Sequence, residues 1–204
     1  MLKILACTFM LIDHAGALLF PQYEILRIIG RLSLPIFAYL VAVSFEKTSN
    51  RKKYLERLIL FAIVSQIPFY LAFGTRLNIM FTLSFAVAYL LAFEKRGFTA
   101  QMLGLGAVCI AAELLRADYG FYGVLLVLVF HFLRSRLALC AASVAAASVA
   151  FDVLVNMRFF QIFCVLALPI IFWLKLPRLK VNKYAYYLFY PGHIFALWIV
   201  SKAI

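Results

Sequence analysis

Asp13 and His14 stand side by side in an otherwise apolar run, and His193 stands in another near the C-terminus. Tyr186, Tyr190 and His193 follow the spacing i, i+4, i+7, so they line one stripe of a helix. Arg27 and Arg31 are spaced i, i+4 on one face of the segment after Asp13-His14. Imidazole takes up and releases protons near neutral pH. Ionisable groups inside apolar spans are costly, and they face a protein interior or a wet cavity. Proton abstraction or proton transfer is the chemistry this set suits. Neighbours on a helix point about 100° apart, so Asp13 is badly placed to orient the ring of His14. Asp13 shares a face with Gly16 and Ala17, small residues that admit a close partner. Arg27 and Arg31 are the expected cations for it.

The backbone around these residues is interrupted in a particular way. Pro35, Pro68 and Pro191 lack an N–H and are expected to free the carbonyls of Arg31, Val64 and Tyr187. Such broken helices are tolerated where the freed groups find protein partners or water. Ser65 and Gln66 stand beside Pro68, Asn78 and Thr82 share a helix face, and Glu113, Arg116 and Asp118 cluster at a helix end.

The elements that must hold these groups are membrane helices. Of the 204 residues 67% are hydrophobic, and the mean hydropathy is +1.02. A soluble domain is about 45–50% apolar, and a chain this short leaves much of its surface exposed. Apolar runs fall at 3–20, 26–45, 55–73, 78–93, 99–115, 119–133, 137–155, 159–175 and 184–203. A span needs about 17–25 residues. The expected fold is therefore all-α: a polytopic integral membrane bundle of about nine transmembrane helices, one domain over 1–204. The run after Lys3 resembles a signal peptide, but Asp13-His14 interrupts it without a small-residue cleavage site, so it reads as a permanent first helix. Cys7, Cys109, Cys140 and Cys164 lie singly in apolar runs and read as small hydrophobes, with neither a disulfide nor a metal framework implied.

Positive charge orients the stack. If connections alternate, one side carries Lys3, Lys47, Arg51, Lys52, Lys53, Arg57, Lys95, Arg96, Arg134, Arg136, Lys175, Arg178, Lys180 and Lys183. The other carries Arg27, Arg31, Arg76, Arg116, Arg158 and Lys202. The first side reads as cytoplasmic, with the N-terminus inside and the C-terminus outside. On this reading Asp13 lies about 16–18 Å deep, near mid-membrane, and His193 is also near mid-depth. The net charge of +12 then reflects orientation and anionic lipid, not nucleic acid.

Structural readings stand beside the functional ones. Arg76, Arg158 and Tyr119 read as interfacial anchors, and Glu113 to Asp118 as a solvated loop. His131 reads as a surface histidine beside a turn, and Asp152 as a carboxylate reaching an outer surface. Pro35 and Pro68 read as packing kinks. For Asp13, His14 and His193 the alternative to a site is a buried hydrogen-bond network. No soluble-enzyme motif such as GxSxG, HExxH, GxGxxG or a P-loop is present.

The order of short motifs resembles the TraX family of membrane acetyltransferases. It runs through Leu11-Ile12-Asp13-His14, Arg31-Leu32-Ser33-Leu34-Pro35, Tyr54-Leu55-Glu56-Arg57-Leu58, Ser65-Gln66-Ile67-Pro68-Phe69, Leu77-Asn78-Ile79, Phe81-Thr82-Leu83, Ala117-Asp118-Tyr119-Gly120 and Phe189-Tyr190-Pro191-Gly192-His193. The resemblance implies N-terminal acetylation of a pilin. It also implies a distant likeness to multipass enzymes that pass acyl groups from cytosolic acyl-CoA to outside acceptors, with an intramembrane histidine at the centre. That role is carried over to His14, with Asp13 and Arg31 as a supporting ion pair and His193 as a second catalytic or orienting group.

The residues suit such chemistry. An α-amine has a pKa of about 7.7–8.0 and histidine one of about 6.5, a good match for a general base. Arg31, Asn78 and Tyr190 are candidate donors to the thioester oxyanion. Arg27, Gln66, Asn78, Thr82, Asp118, Tyr119, Tyr186 and Tyr190 are candidate substrate contacts. Lys52, Lys53 and Arg57 could attract the phosphates of acetyl-CoA. The expected protein is an acetyl-CoA-dependent acetyltransferase of a bacterial inner membrane. Its acceptor is a pilin N-terminus, another peptide or a surface glycan, and its oligomeric state is open. The reading from another class is a small proton-coupled transporter. A non-catalytic pilus assembly factor is a third.

Overall fold

The computed structural model describes residues 1–156, 159–174 and 183–203. Among these the chain is helical, apart from turns and an isolated parallel bridge between Leu77 and Ala117. The helices are α1 (Leu2–Leu18), α2 (Glu24–Gly30), α3 (Ser33–Lys47), α4 (Arg51–Phe73), α5 (Ile79–Phe93), α6 (Phe98–Leu114), α7 (Gly120–Leu133), α8 (Leu137–Phe151), α9 (Ala167–Phe172) and α10 (Lys183–Ala203). A π-helical turn, Asp152–Asn156, extends α8, and a 3-10 segment, Gln161–Leu166, leads into α9. The helices fall on the apolar runs read from the sequence. Glu24–Lys47, Arg51–Phe73 and Leu137–Val155 are long and apolar enough to cross a membrane. Shorter apolar helices cover Ile79–Phe93, Phe98–Leu114, Gly120–Leu133 and Gln161–Phe172. Large apolar side chains point outward, among them Leu103 and Ile67, each 71% exposed. The predicted breaks at 156–158 and 175–183 lie largely outside the described residues.

The described chain forms two compact units. One comprises Met1–Phe37 with Arg136–Ile204, the other Ala38–Ser135. In the first, α1 packs against both α2 and α10, burying Ala6, Cys7, Met10, Asp13 and Gly16. Lipid tails are as apolar as leucine, so helices in lipid are held by close packing of small residues rather than by hydrophobic exclusion. Gly16 and Gly30 supply that closeness. A β-carbon at Gly16 would lie 2.7 Å from Leu26 Cβ, and one at Gly30 would lie 2.3 Å from Asp13. The same device recurs in the second unit, where a β-carbon at Gly123 would lie 2.7 Å from Thr82 Cγ2.

Pro35 departs from expectation. The break falls at Arg31-Leu32, and α3 begins at Ser33, so Pro35 occupies the first turn, where a missing N–H costs nothing. Pro68 and Pro191 do lie inside helices, α4 and α10. Gly74 ends α4 with φ of +84°, a conformation that side chains with a β-carbon rarely adopt.

The second unit carries a chain of charges at one set of helix ends. Arg134 pairs with Glu46, with Nη1 2.6 Å from Oε1. His131 lies between Glu46 (Nδ1–Oε1 3.3 Å) and Glu94 (Nε2–Oε1 2.9 Å), and Glu94 accepts from Arg51 at 2.9 Å. The surface reading of His131 is thereby corrected: its side chain is buried between carboxylates on other helices, hydrogen-bonded to Glu94 through Nε2. Sequence spacing hides this, because Glu46, Glu94 and His131 meet only in three dimensions.

Candidate active site

The groups singled out near the two ends of the sequence come together in the first unit. His14, on α1, and His193, on α10, share a hydrogen bond of 2.7 Å between Nδ1 and Nε2. Their rings are nearly parallel, at 4°, with centroids 5.0 Å apart. Tyr190 stands beside both, 6.4 Å from the ring of His14 and 6.0 Å from that of His193. Phe189 covers His193 at 4.7 Å. Tyr186, one turn earlier, lies under the ammonium of Lys3 at 5.3 Å.

The hydrogen bonds give the pair a direction. His193 Nδ1 lies 2.7 Å from the carbonyl oxygen of Phe189, which can only accept, so Nδ1 carries the proton. In a neutral His193, Nε2 is then the acceptor. His14 Nδ1 must donate to it, and in a neutral His14 the remaining lone pair is on Nε2. The backbone of α10 therefore sets the tautomer of His193, and His193 sets that of His14. A metal-ligating or catalytic imidazole is commonly fixed through its second nitrogen in this way.

Asp13 is buried and pairs with Arg27, whose Nη1 lies 2.9 Å from Oδ2 and 2.8 Å from the Asp13 carbonyl oxygen. Of the two cations expected for Asp13, Arg27 is the one that makes the contact. Arg27 and Gly30 are spaced i, i+3 on the face of α2 that meets α1, so the glycine opens the space and the arginine fills the charge. Arg31 points instead to Gln161, with Nη1 3.3 Å from Oε1. Gln161 is fully buried, and its backbone N–H donates to Asp152 Oδ2 at 2.8 Å, as does that of Ile162 at 3.1 Å. Asp152 thus caps the 3-10 segment from the π-helical turn. It does not reach an outer surface, being 1% exposed.

A cavity of about 330 Å³ adjoins this arrangement, lined by Gly16, Ala17, Pro21, Glu24, Arg27, Arg31 and Phe160. Ala17 lies one turn beyond His14 on the same face of α1. Glu24, Gly30, Phe160 and Gln161 were not singled out from the sequence. Gln161 left a trace, a glutamine near the start of an apolar run. The others had none that distinguishes them from turn and packing residues.

The remaining candidates belong to the second unit and are built into its own framework. Asn78 caps α5, accepting from Met80 N at 3.0 Å, and its amide donates to Ala62 O and to Gln66 Oε1 at 2.7 and 2.9 Å. Both donor hydrogens are committed, which leaves none for an oxyanion. Gln66 also donates to Arg76 O. Thr82 donates to the carbonyl of Asp118 at 2.6 Å, beside the bridge between Leu77 and Ala117. Tyr119 precedes α7 in a left-handed conformation, φ 60°. Glu113 is exposed, as the solvated reading expects, and its Oε1 also accepts from Phe121 N at 2.8 Å, at the start of α7. Lys52 and Lys53 are exposed in the first turn of α4, and Arg57 is half-buried one turn on.

The comparisons with known proteins agree with the motif order. The family model described as "TraX protein" matches residues 1–201. The chain belongs to the TraX family. A curated relative is 31% identical over 226 residues, covering 95% of this chain and 91% of its own length: the "Probable fimbrial assembly protein FimC, serogroup H1" of Dichelobacter nodosus. An uncharacterized protein of Rickettsia prowazekii (strain Madrid E) is 36% identical over 67 residues, 33% of this chain and 25% of its own. No solved structure matches. The TraX match spans both units, including the Asp13-His14 and Pro191-Gly192-His193 segments that meet in the first.

Proposed function

We propose that this TraX-family chain is an acetyltransferase of the bacterial inner membrane, spanning it about nine times with the N-terminus cytoplasmic and the C-terminus outside. It would move an acetyl group from cytosolic acetyl-CoA to the N-terminal amine of a pilin or similar fimbrial peptide at the outer face. The observation that carries this reading is the directed contact between His14 and His193. It fixes the proton of each ring on Nδ1 and so puts the lone pair of a neutral His14 on Nε2. The fimbrial assembly name of the Dichelobacter relative favours a peptide acceptor over a glycan.

In the proposed step the acceptor amine attacks the thioester carbonyl carbon, and His14 Nε2 takes the proton released as the C–N bond forms. The tetrahedral intermediate then loses the CoA thiolate as the C–S bond breaks, and the imidazolium returns the proton to that sulfur. Tyr190, beside both rings, is the proposed donor to the oxyanion. Arg27 holds Asp13, and so fixes the turn of α1 that carries His14. Lys52, Lys53 and Arg57 are the proposed attraction for the phosphates of acetyl-CoA.

Purified protein in detergent, given acetyl-CoA and a short peptide with a free N-terminus, is expected to release CoA and acetylate that terminus, as read by mass spectrometry. The same peptide with a blocked N-terminus is expected to remain unchanged. Proton-coupled uptake without any acyl-CoA binding would overturn the proposal in favour of a transporter.

A further inference from the structure

The cavity lined by Arg27 and Arg31 has a charge pattern that catalysis alone does not require. Arg27 and Arg31 both line it, from successive turns of one face of α2. Each is steadied by another element. Asp13 holds Arg27 through the single nitrogen Nη1, and Gln161 accepts from Nη1 of Arg31. A guanidinium carries five N–H donors in a planar fork, so holding Arg27 through Nη1 alone leaves its Nε–Nη2 edge for a ligand. That edge is the geometry by which arginine takes a carboxylate or phosphate in two parallel hydrogen bonds. Glu24 is the single carboxylate in the lining among the described residues. It is exposed at the start of α2, about 10 Å along the axis from Arg31 at 1.5 Å per residue. Water screens an exposed charge far more than a half-buried one. Asp13 faces both arginines from behind and is hydrogen-bonded to Arg27 alone, so the lining presents two guanidinium groups against one exposed carboxylate, Glu24. Phe160 adds an apolar wall at the 3-10 segment that Asp152 caps.

We infer that this cavity is an anion site, taking a carboxylate- or phosphate-bearing group at Arg27 and Arg31. On the proposed function, on which this assignment to a substrate rests, that group belongs to the acceptor. The amine enters with an acidic neighbour, and the arginines hold the neighbour while His14 handles the proton. Gln161 is then a positioning residue for Arg31, and Asp152 for Gln161.

A thiol placed in the cavity tests the site without any assay of transfer. Ala17→Cys is reacted with an anionic and with a cationic methanethiosulfonate of equal size, and the parent protein serves as the blank for the four native cysteines. The local potential changes the thiolate fraction equally for both reagents, so the ratio of rates reports the attraction of the cavity for the reagent itself. The anionic reagent is expected to react about tenfold faster. Arg31→Gln in this background should lower that preference, and Glu24→Gln, at an exposed position, should increase it. Inorganic phosphate or glutarate should protect the thiol. Protection by phosphate alone points to a phosphorylated acceptor and protection by glutarate to an acidic peptide. Equal rates, a cationic preference, an unreactive thiol, or protection by neither anion would overturn the inference. Absence of acetyl transfer together with an intact anionic preference would overturn the proposed reaction and leave the anion site standing.

Discussion

Replacing His14 with alanine is expected to lower acetyl transfer by about 10²–10⁴-fold, the range that a positioned general base supplies. The base cannot be replaced from within the pair. His193 Nε2 is the acceptor of the bond from His14, and His193 Nδ1 is committed to Phe189 O. Removing His14 would leave His193 Nε2 exposed to the space vacated, but one ring width from the acceptor. Free imidazole added to the His14→Ala protein should therefore restore part of the rate, since the hole has the shape of the missing ring. His193→Gln should have a different signature. It removes the group that fixes the tautomer of His14 but keeps a hydrogen-bond acceptor on the same helix. The rate is expected to fall less, and the pH profile of transfer to shift, because the proton on His14 loses its preferred nitrogen. Initial rates of CoA release against pH for the three proteins check this. Wild-type rates in His14→Ala would remove His14 from the mechanism.

The second large effect concerns the fold around that base. Asp13→Ala should destabilise the protein by about 3 kcal/mol, because losing one partner of a buried ion pair leaves the other uncompensated. The value lies at the low end of the usual range because the Arg27 side chain remains 29% exposed. The double substitution Asp13→Leu with Arg27→Met should cost less than the single one, since it removes both charges and restores apolar volume. Thermal unfolding in detergent, followed by tryptophan fluorescence, compares the two. A double variant less stable than Asp13→Ala would show that the pair contributes through hydrogen bonding to the α1 carbonyl rather than through charge compensation.

Much of the fold was legible from hydropathy. Apolar runs separated by short polar breaks mark the helices, because each break must satisfy backbone groups in water. The site was legible where residue type was improbable. Two histidines in separate apolar runs, 179 positions apart, stood out by type, and they meet; the aspartate beside the first meets one of its two expected arginines. What stayed hidden depended on approach distance. Gly30 looks like any glycine until Asp13 is seen against it, and only the close approach at that glycine shows that Arg27 is the arginine in reach of the carboxylate. Asp152 and His131 were misread for a related reason. Position along a helix suggested exposure, while the partners lie on other elements: Gln161, nine residues on from Asp152 across a turn, and Glu46 and Glu94, far from His131 in sequence. Asn78 was read correctly as unusual, but its improbability belongs to a helix cap.

The most direct test of the central claim is the protonation state of each imidazole nitrogen, read by ¹⁵N NMR of histidine-labelled protein in lipid bilayers. His14 and His193 are expected to be neutral and both protonated at Nδ1, with a ¹⁵N–¹⁵N correlation between His14 Nδ1 and His193 Nε2. The lone pair is then on His14 Nε2, where the base must be. A proton on His14 Nε2 with the lone pair on Nδ1 would contradict the account, since the nitrogen facing the acceptor would have nothing with which to take its proton.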